Sequence, residues 1–556
     1  MAQPRLSPQD DHDGPLSLTQ IRDLIQPVQP LARPLPSKVQ VVIVGAGPAG
    51  LTAANLLGKM GVATLLLDAR TTTSEQPKAI AIDDEYMRLL ASVDLEQAMA
   101  RHHSAPFGIW FMGADRQPVI KVAGAMTPNG FGRRSAIMQP VFEKILLAGA
   151  TSHPSVQVCL GVEVSGLTQN PNGVTVRAGA AVIECDYVLA CDGARSAIRS
   201  ALGIGFVGTR IDEPHLVVDL ADFPDQSPYS RFFCDPRRPL NSVPSVYGGR
   251  RIEFMLNPAD DRDYLLSDVG IRELVDRHTP YKGVELHIIR RAIYGFSEKI
   301  ADCLHDGRVF LLGDAAHVMP PFGGQGMNTA ARDANNLCWK IAKVLNGMAP
   351  ASLLDTYDAE RRPQISAIVK YSVLIGRFAN VRSRPLAYLR DAILRTVQLA
   401  PKVRRFFSEM RYMPRPAILR GLIAPSTRFQ SFVGVTFPRW SLLRDSGLVP
   451  VDELAGNNFC LLGIGVGAQD LIEASQHRLW RDLAPTLAVI GQPGTGQSPG
   501  VHHGSFAGAP PAEAASLQGT ICVIRPDRYV AAVTTPGAAA GTFDTLYQQL
   551  QGGLST

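Results

Sequence analysis

The pattern of hydrophobic and polar residues predicts a parallel strand–helix–strand unit near the start of the chain. Residues 41–44 are an unbroken run of Val and Ile, which is typical of a strand buried on both faces. A glycine-rich turn, a helix of small residues at 51–60 and a second apolar strand at 63–67 follow, ending at Asp68. These elements, within about 30 residues, predict one βαβ unit.

Beyond this unit the pattern changes twice. Between residues 208 and 300, short strands such as 216–218 and 251–255 favour a smaller, separate sheet. Residues 308–312 return to the buried-strand pattern. Apolar positions at helical spacing then predict a long helix that contains Ala331, Ala334, Leu337, Cys338, Ile341 and Leu345.

The C-terminal third has a different pattern again. Residues 365–430 are basic and predict helices. Apolar runs predict strands at 459–462, 487–490 and 521–524, and the last of these pairs with residues 529–533 as a hairpin. The glycine- and proline-rich stretch 491–515 favours a mobile loop.

The first 38 residues are polar and proline-rich and lack the apolar core of a secretory signal. They favour a mostly disordered leader, in which residues 17–26 have the pattern of one short helix. No window approaches the 18 or more apolar residues of a membrane span, so we expect no membrane partner.

Composition narrows the function classes. A chain of 556 residues is too long for one core and predicts two or three domains. The net charge of +5 is small and no basic stripe carries interleaved aromatics, so a nucleic-acid partner is not expected. The eight Cys are scattered without a CxxC, which predicts free thiols in a reducing cytoplasm and no metal site.

The first chemical motif, Gly45-x-Gly47-x-x-Gly50, lies between the first strand and its helix. Such glycines permit a tight turn and let backbone N–H groups approach a pyrophosphate at the helix N-terminus. Asp68 ends the second strand, where a carboxylate accepts hydrogen bonds from ribose hydroxyls. Similar patterns at Gly203 and Gly463 lack a preceding strand or a following acid, so only the first motif predicts dinucleotide binding.

Two later motifs also follow strands. Cys191-Asp192-Gly193 comes after an apolar run at 187–190, and Gly313-Asp314 comes after residues 308–312. A glycine-rich loop, 320–328, then opens a helix whose N–H groups favour an anion placed before it. Each motif alone is also compatible with an ordinary turn.

In this order and spacing the three motifs resemble those of the single-component FAD-dependent aromatic hydroxylases, over residues 39–365. Further segments resemble the branch of that family that hydroxylates 3-(3-hydroxyphenyl)propionate, namely 79–85, 234–239, 251–255, 354–362 and 525–532.

The resemblance implies an α/β fold in which a Rossmann-type FAD-binding domain is interleaved with a smaller sheet-rich substrate domain, plus a C-terminal thioredoxin-like domain. The expected bounds are 39–208 and 301–365 for the FAD-binding domain, 209–300 for the substrate sheet, 366–450 for a helical segment and 451–556 for the C-terminal domain.

The resemblance also implies which residues bind FAD. Those expected at its ADP half are Gly45, Gly47, Pro48, Ala49, Gly50, Asp68, Ala69 and Arg70. Those expected along the rest of the cofactor are Gln139, Asp192, Gly313, Asp314, Pro320, Gly324, Gly326, Met327 and Asn328. Many relatives have Arg where this chain has Lys78, which retains the charge but loses the bidentate fork.

The implied activity is hydroxylation of a phenolic substrate with NADH or NADPH and O2, through a C4a-hydroperoxyflavin. A 3-(3-hydroxyphenyl)propionate-like acid is the expected small-molecule substrate. A flavin reductase or dehydrogenase without oxygen insertion and a non-catalytic FAD-binding module remain alternatives. A flavin-dependent halogenase is disfavoured because the four Trp do not form the Trp-x-Trp-x-Ile-Pro segment of that family.

The sequence does not identify a catalytic residue. Acceptors for a phenol hydroxyl could come from His215, Tyr247 or Tyr294, and partners for a substrate carboxylate from Arg231, Arg250 or Arg251, although a structural role is the simpler expectation for each. His317 is a further candidate for a catalytic base, but its place in the Gly-Asp motif favours a structural or flavin-adjacent role. The oligomeric state is open, and a homodimer through residues 365–430 is one hypothesis.

Overall fold

The structure, a computed structural model, describes residues 15–30, 33–444, 447–491 and 498–552. Its strands are β1 (Lys38–Val44), β2 (Thr64–Asp68), β3 (Ala81–Asp83), β4 (Gly108–Met112), β5 (Pro118–Val122), β6 (Arg134–Ala136), β7 (Val156–Leu160), β8 (Val164–Asn170), β9 (Gly173–Ala178), β10 (Ala181–Ala190), β11 (Phe206–Ala221), β12 (Tyr229–Phe233), β13 (Leu240–Pro244), β14 (Arg250–Met255), β15 (His287–Ala301), β16 (His305–Asp306), β17 (Val309–Leu311), β18 (His317–Val318), β19 (Ser441–Arg444), β20 (Gly447–Pro450), β21 (Cys460–Ile464), β22 (Thr486–Ile490), β23 (Val501–Phe506), β24 (Thr520–Ile524) and β25 (Val530–Thr534).

Its α-helices are α1 (Leu18–Leu24), α2 (Pro48–Lys59), α3 (Asp84–Ser92), α4 (Glu96–Met99), α5 (Gln139–Ser152), α6 (Ala197–Ala201), α7 (Arg262–Leu265), α8 (Asp268–His278), α9 (Gly326–Leu345), α10 (Thr356–Ala379), α11 (Arg384–Val397), α12 (Pro401–Ser408), α13 (Val451–Ala455), α14 (Ala468–Ser475), α15 (Trp480–Leu483), α16 (Ala512–Ser516) and α17 (Ala539–Leu550).

The first sheet has the strand order β16-β17-β10-β1-β2-β7. β1 pairs in parallel with β2 and β10, and β10 pairs in parallel with β17. The apolar residues of β1 are buried because α2, packed between α5 and α9, covers the sheet. The predicted βαβ unit is therefore confirmed as β1-α2-β2.

The second sheet has the order β18-β15-β11-β14-β13-β12-β4-β5. One face packs on α8 through apolar residues that include Ile252, Phe254, Ile271 and Leu274. β4 and β5, which lie within the span expected for the FAD-binding domain, join this sheet because β4 pairs in parallel with β12. Their apolar pattern predicts strands, but it does not specify a partner so far away in the chain.

The third sheet has the order β20-β19-β23-β22-β21-β24-β25. It confirms the three strands predicted after residue 450 and the antiparallel hairpin of β24 with β25. The expectation of a mobile loop at 491–515 is wrong where β23 pairs in parallel with β22. β23 contains His502, His503 and Gly504, so it lacks the apolar pattern that identified the other strands. Residues 492–497 of that loop lie outside the described residues.

Two other expectations need correction. The first concerns the helical segment expected at 366–450. Its helices end at Ser408, and prolines interrupt the chain after that residue.

The second correction concerns the leader. It forms the predicted short helix, α1, whose N-terminus has a capping box between Ser17 and Gln20. Ile21 is fully buried and Leu16 N–H donates to the carbonyl of Tyr247, so disorder does not hold for residues 15–30. Residues 1–14 and 31–32 of the leader lie outside the described residues.

Candidate active site

The three predicted motifs leave the carboxyl ends of adjacent parallel strands. Gly45 follows β1, Asp192 lies two residues beyond β10, and Gly313 and Asp314 form a 3-10 turn after β17. Carboxyl ends of neighbouring parallel strands meet at one edge of a sheet, which is where open α/β sheets bind ligands. Motifs that are distant in sequence therefore line one groove.

The turn between β1 and α2 requires glycine at two positions. Gly45 has a φ of +109°, and a Cβ there would lie 2.2 Å from the carbonyl oxygen of Cys191, the residue that follows β10. A Cβ on Gly50 would lie 1.9 Å from the carbonyl oxygen of Gly45. Beside Gly47, in contrast, a Cβ would meet no described atom within 4 Å. No side chain of the described residues caps α2, so the N–H groups of its first turn, which includes Ala49, face this space.

Asp68 ties the end of β2 to this turn. Its Oδ2 accepts a hydrogen bond from Ala46 N–H at 2.6 Å, and its Oδ1 accepts one from the backbone N–H of Arg70 at 2.8 Å. Burial opposes ionisation, but the hydrogen bonds from Arg70 and Ala46 outweigh it and lower the pKa of Asp68. Ala69 and Arg70 are exposed at the same edge, so the groove has an ionised acceptor beside two accessible residues.

Gln139, the first residue of α5, has both ends of its amide engaged. Its Oε1 accepts a hydrogen bond from Ala79 N–H at 2.6 Å, and its Nε2 donates to Glu143 at 2.7 Å. Gln139 is buried, and it holds the segment between β2 and β3 in place. A direct contact between Gln139 and FAD stays a prediction.

The second motif carries an unsatisfied acceptor. Asp192 Oδ2 accepts a hydrogen bond from Ile198 N–H at 3.2 Å, whereas its buried Oδ1 has no hydrogen-bond partner among the described residues. Arg199 donates to the carbonyls of Ala194 and Ala315, which ties this motif to the third. Buried carboxylate oxygens are normally paired, so Asp192 Oδ1 suits a ligand donor.

In the third motif, the side chain of Asp314 is accessible, whereas the residues that hold the turn are buried. Asp314 is exposed although its neighbours are buried. His317, fully buried, lies 2.8 Å from a carboxylate oxygen of Asp333 that also accepts the N–H of Gly313. His317 and Arg361 lower the pKa of Asp333 against the effect of burial. His317 therefore holds the turn, in keeping with its expected structural role.

The glycine-rich loop ends at the start of α9. Gly323 and Gly324 have φ values of +100° and +65°, which favour glycine. Asn328 donates to the carbonyl of Gly324 at 2.7 Å and accepts from Asp83 N–H at 3.0 Å, so it fixes the loop against β3. α9 begins at Gly326 with no side-chain cap from the described residues, which leaves its first N–H groups to face outward.

An open cavity of about 890 Å³ lies between this loop and the second sheet. The loop lines it with residues 319–321 and 323–327, which include Pro320 and Met327. Residues 78–81, Phe107 and Arg134 also line it. The sheet contributes Ser230, Phe232, Asn241, Val243, Arg251 and Glu253. The lining thus combines apolar residues with polar groups on the sheet and with the cations of Lys78, Arg134 and Arg251.

Strand register explains the sheet wall. Asn241 and Glu253 are direct cross-strand partners on β13 and β14, and Phe232 pairs with Asn241 from β12. Side chains directly opposite each other point to the same face of a sheet. Phe232, Asn241 and Glu253 therefore form one row across the sheet, with an aromatic ring, an amide and a carboxylate side by side.

Known proteins are similar to this chain over most of its length. The family described as "FAD binding domain" matches residues 38–372. A protein of Mycolicibacterium smegmatis named 3-(3-hydroxy-phenyl)propionate/3-hydroxycinnamic acid hydroxylase is 35% identical, over 93% of this chain and 95% of that protein. A Klebsiella pneumoniae protein of the same name is 32% identical, over 92% and 94%. The chain belongs to the FAD-dependent aromatic hydroxylases.

Solved structures share the fold of this hydroxylase. The flavin-dependent monooxygenase PieE, in complex with FAD and substrate, has a TM-score of 0.75 at 22% identity, covering 93% of this chain and 99% of that one. Aklavinone-11 hydroxylase, with FAD and aklavinone, has a TM-score of 0.70 at 23% identity, covering 92% and 98%. The family described as "HcaD C-terminal domain" matches residues 435–549, so the third sheet belongs to that domain.

The groove of the hydroxylase fits FAD on structural grounds. A pyrophosphate would fit in the space beside Gly47, where it would face the uncapped N-terminus of α2. The ionised Asp68 and the unpaired oxygen of Asp192 can accept hydrogen bonds from the hydroxyl groups of the cofactor.

Among the helices of the described residues, none has the length and apolar character that a membrane span requires.

The expected phenol acceptors do not line the cavity. His215 is buried against Phe296 and Phe322, and burial lowers its pKa to about 4, so it is neutral at pH 7. Tyr247 bonds to His102, and Tyr294 accepts a hydrogen bond from Arg290. These side chains support the surrounding structure of the hydroxylase.

The expected carboxylate partners are also engaged elsewhere. Arg231 pairs with Asp225, and Arg250 is fully buried, where it donates to Ser242. Arg251 reaches the cavity but donates to Asp219 and to the carbonyls of Pro77 and Lys78. Arg251 thus fastens the segment at 77–78 to the sheet.

Sequence reasoning missed Asn241, Glu253, Ser230 and Arg134. One signal was available: the strand 250–255 carries three charges, and two of them, Arg251 and Glu253, stand at alternate positions. Alternating charges on a strand point to one face, and charges are rarely buried without a partner. That pattern predicts a polar patch on the sheet, although not the loop that faces it.

Proposed function

We propose that this enzyme hydroxylates the ring of a phenolic acid resembling 3-(3-hydroxyphenyl)propionate, with NADH or NADPH and O2. The observation that carries the proposal is the cavity of about 890 Å³ between the glycine-rich loop and the polar wall of the second sheet. Its lining combines apolar side chains with a few polar groups, which is typical of small-molecule sites. The names of the curated relatives support the substrate class.

The cavity lining suits a phenolic acid. Phe107, Phe232 and Val243 offer apolar surface to a ring. Arg134, which donates one hydrogen bond to the carbonyl of Gly323, and the exposed Lys78 both line the cavity and add positive charge to its wall. These cations suit a substrate carboxylate, while the amide and carboxylate on the sheet suit a hydroxyl group.

We also propose the residues that hold FAD. Gly45, Gly47, Pro48, Ala49 and Gly50 contact its pyrophosphate, and Asp68, Ala69 and Arg70 contact its adenosine ribose. The remaining proposed contacts, from the ribityl chain to the ring, are Gln139, Asp192, Gly313, Asp314, Pro320, Gly324, Gly326, Met327 and Asn328. Support comes from the convergence of their strand ends and from the unpaired Oδ1 of Asp192 at that edge.

FAD held by these residues would supply a hydride acceptor for NAD(P)H and a means of activating O2. The chain positions the substrate, restricts water and stabilises charge. The N-terminus of α9, at Gly326 and Met327, lines the cavity with the positive end of a helix dipole. Fixed dipoles of this kind stabilise negative charge that develops during a reaction without reorganising.

The test is coupled turnover. Purified enzyme with its flavin spectrum is assayed for NADH and NADPH oxidation with 3-(3-hydroxyphenyl)propionate and a panel of phenols, with H2O2 and product mass measured. We expect stimulated oxidation, a product heavier by one oxygen and little peroxide. Stoichiometric peroxide with every phenol would support the reductase alternative, and absence of NAD(P)H oxidation would support the binding-module alternative.

Two finer proposals concern assembly and location. A homodimer through residues 365–430 is supported by the apolar side chains that α11 leaves exposed at helical spacing, Leu386, Leu389, Ile393 and Val397. Eight free thiols support a reducing cytoplasm. Light scattering of the full chain beside Leu389→Glu tests the dimer, and a monomeric mass for both would overturn it.

A further inference from the structure

We propose that Glu253, positioned by Asn241, accepts the proton of the substrate's phenol hydroxyl. This inference rests on the proposed function, because it supplies the acceptor that a phenolic substrate needs. The expected acceptors, His215, Tyr247 and Tyr294, have partners elsewhere, so another side chain must accept the phenol proton.

The two carboxylate oxygens of Glu253 differ in their hydrogen bonding. Its Oε2 accepts a hydrogen bond from Asn241 Nδ2 at 3.2 Å. Its Oε1 makes no hydrogen bond with the described residues, and the nearest cation, Arg251 NH1, is 3.9 Å away. One oxygen is therefore held by the neighbouring strand, and the other is left for a donor in the cavity.

Glu253 is the only acidic side chain among the described residues that line the cavity. Asp219, the nearest other carboxylate on this wall, is buried between Arg251 and Arg290. Burial raises the pKa of Glu253 above its ordinary value, with Arg251 and Asn241 opposing the shift. A carboxylate with a raised pKa is a stronger base and is closer in basicity to a phenolate.

The proton transfer is balanced within the site. The phenol O–H bond breaks, its proton bonds to Glu253 Oε1, and the electron pair stays on the ring oxygen. That charge spreads to the ortho and para carbons and makes them better nucleophiles for oxygen transfer. The proton returns to the product hydroxyl, so Glu253 is regenerated.

The first measurement is binding without turnover. Dissociation constants of 3-(3-hydroxyphenyl)propionate and of 3-phenylpropionate are obtained from the change in flavin absorbance of the oxidised holoenzyme. A site built to bond a hydroxyl discriminates against the ligand that lacks it. We expect the wild type to prefer the phenol by roughly 10- to 100-fold, since a charged acceptor is involved.

Glu253→Gln should reduce this preference to about three-fold or less, because the amide cannot take the proton and loses the charge. Glu273→Gln, on the exposed face of α8, is the matched control and should behave as the wild type. A Glu253→Gln enzyme that keeps the full preference, with unchanged flavin content and melting temperature, overturns the inference.

A second variant separates the acceptor role from a structural one. Asn241→Leu removes the hydrogen bond that favours ionised Glu253, so the acid limb of kcat/KM should move to higher pH. Glu253→Gln should lack that limb. An acid limb that stays in place in both variants contradicts the proposal, and the Asn241→Leu result decides if Glu253→Gln loses its FAD.

The outcomes distinguish this inference from the proposed function. If the wild type hydroxylates a phenolic acid but Glu253→Gln keeps its preference and its pH profile, only the inference fails. If the preference depends on Glu253 but no phenol in the panel gains oxygen, the proposed function fails and the phenol site stands.

Discussion

The turn between β1 and α2 and the turn between β21 and α14 both follow a buried strand and both carry spaced glycines. At the first turn, a Cβ on Gly47 would meet no described atom within 4 Å. At the second, Asp470 accepts the N–H of Gly467 at 2.9 Å, and a Cβ on Gly465 would lie 2.1 Å from the Gln518 side chain. One helix N-terminus is open, and the other is filled by the chain itself.

The neighbouring strands differ in the same way. β2 ends at Asp68, which is ionised and faces the groove edge, whereas β22 ends at Ile490, which is followed by glycine. An anion site therefore needs more than glycines, because the helix N–H groups must be left without an internal acid. The contrast supports the proposal that α2 binds the cofactor, whereas α14 stabilises its own domain.

The largest effect is expected from Gly50→Val. Its Cβ would lie 1.9 Å from the carbonyl oxygen of Gly45, so strand and helix must separate. Overpacking of this kind costs about 3 kcal/mol or more. We expect a lower melting temperature and loss of bound FAD, measured by thermal denaturation and by the ratio of flavin to protein absorbance. Normal FAD content would show that the turn is less rigid than described.

Gly47→Val should separate binding from folding. Gly47 and Gly467 are both extended N-cap residues with negative φ, so each accepts a side chain without backbone strain. At Gly47 the added methyl groups occupy the open space, and we expect FAD affinity to fall roughly 100-fold with the apoprotein melting temperature unchanged. Gly467→Val is the matched control and should bind FAD normally. Equal FAD affinity in both variants would contradict the assignment of the first turn.

The same contrast explains what the sequence could predict. The β1-α2-β2 unit rests on local features: a β-branched strand, glycines that a turn requires, and an acid at the next strand end. The C-terminal strands β21, β22 and β24 were found by their apolar runs. Each of these signals lies within a few residues of the structure that it specifies.

The substrate wall could not be predicted in this way. Asn241 and Glu253 meet through strand register, and Arg251 donates to the carbonyls of Pro77 and Lys78, which lie far away in the chain. The same reason conceals β4 as a member of the second sheet. β23 was missed for a different, local reason, since His502, His503 and Gly504 interrupt its apolar pattern. Long-range pairing depends on the assembled fold, and several registers satisfy one hydrophobic pattern.

Asp68→Asn should have a moderate effect on FAD affinity at the turn between β1 and α2. The amide keeps the shape but loses the charge that binds Ala46 N–H and Arg70, and we expect FAD affinity to fall by roughly ten-fold. The folded pKa of Asp68 is below its ordinary value of 3.8, so its contribution is fully present above that pH. It is lost only as pH falls through the lower folded value. FAD titrations should therefore give a constant difference between the two proteins from pH 5 to 8, and a difference that changes across this range would contradict the assignment.

The smallest effect is expected at the closed turn, from Asp470→Asn. The carboxylate accepts the N–H of Gly467 and interacts with the dipole of α14. Its replacement should lower the stability of the C-terminal domain by about 0.5–1 kcal/mol, measured by urea denaturation. FAD content should not change, because α14 packs on β21 and β22 of the third sheet. Weaker FAD binding in this variant would mean that the two turns are coupled, and the division between a cofactor helix and a structural helix would then fail.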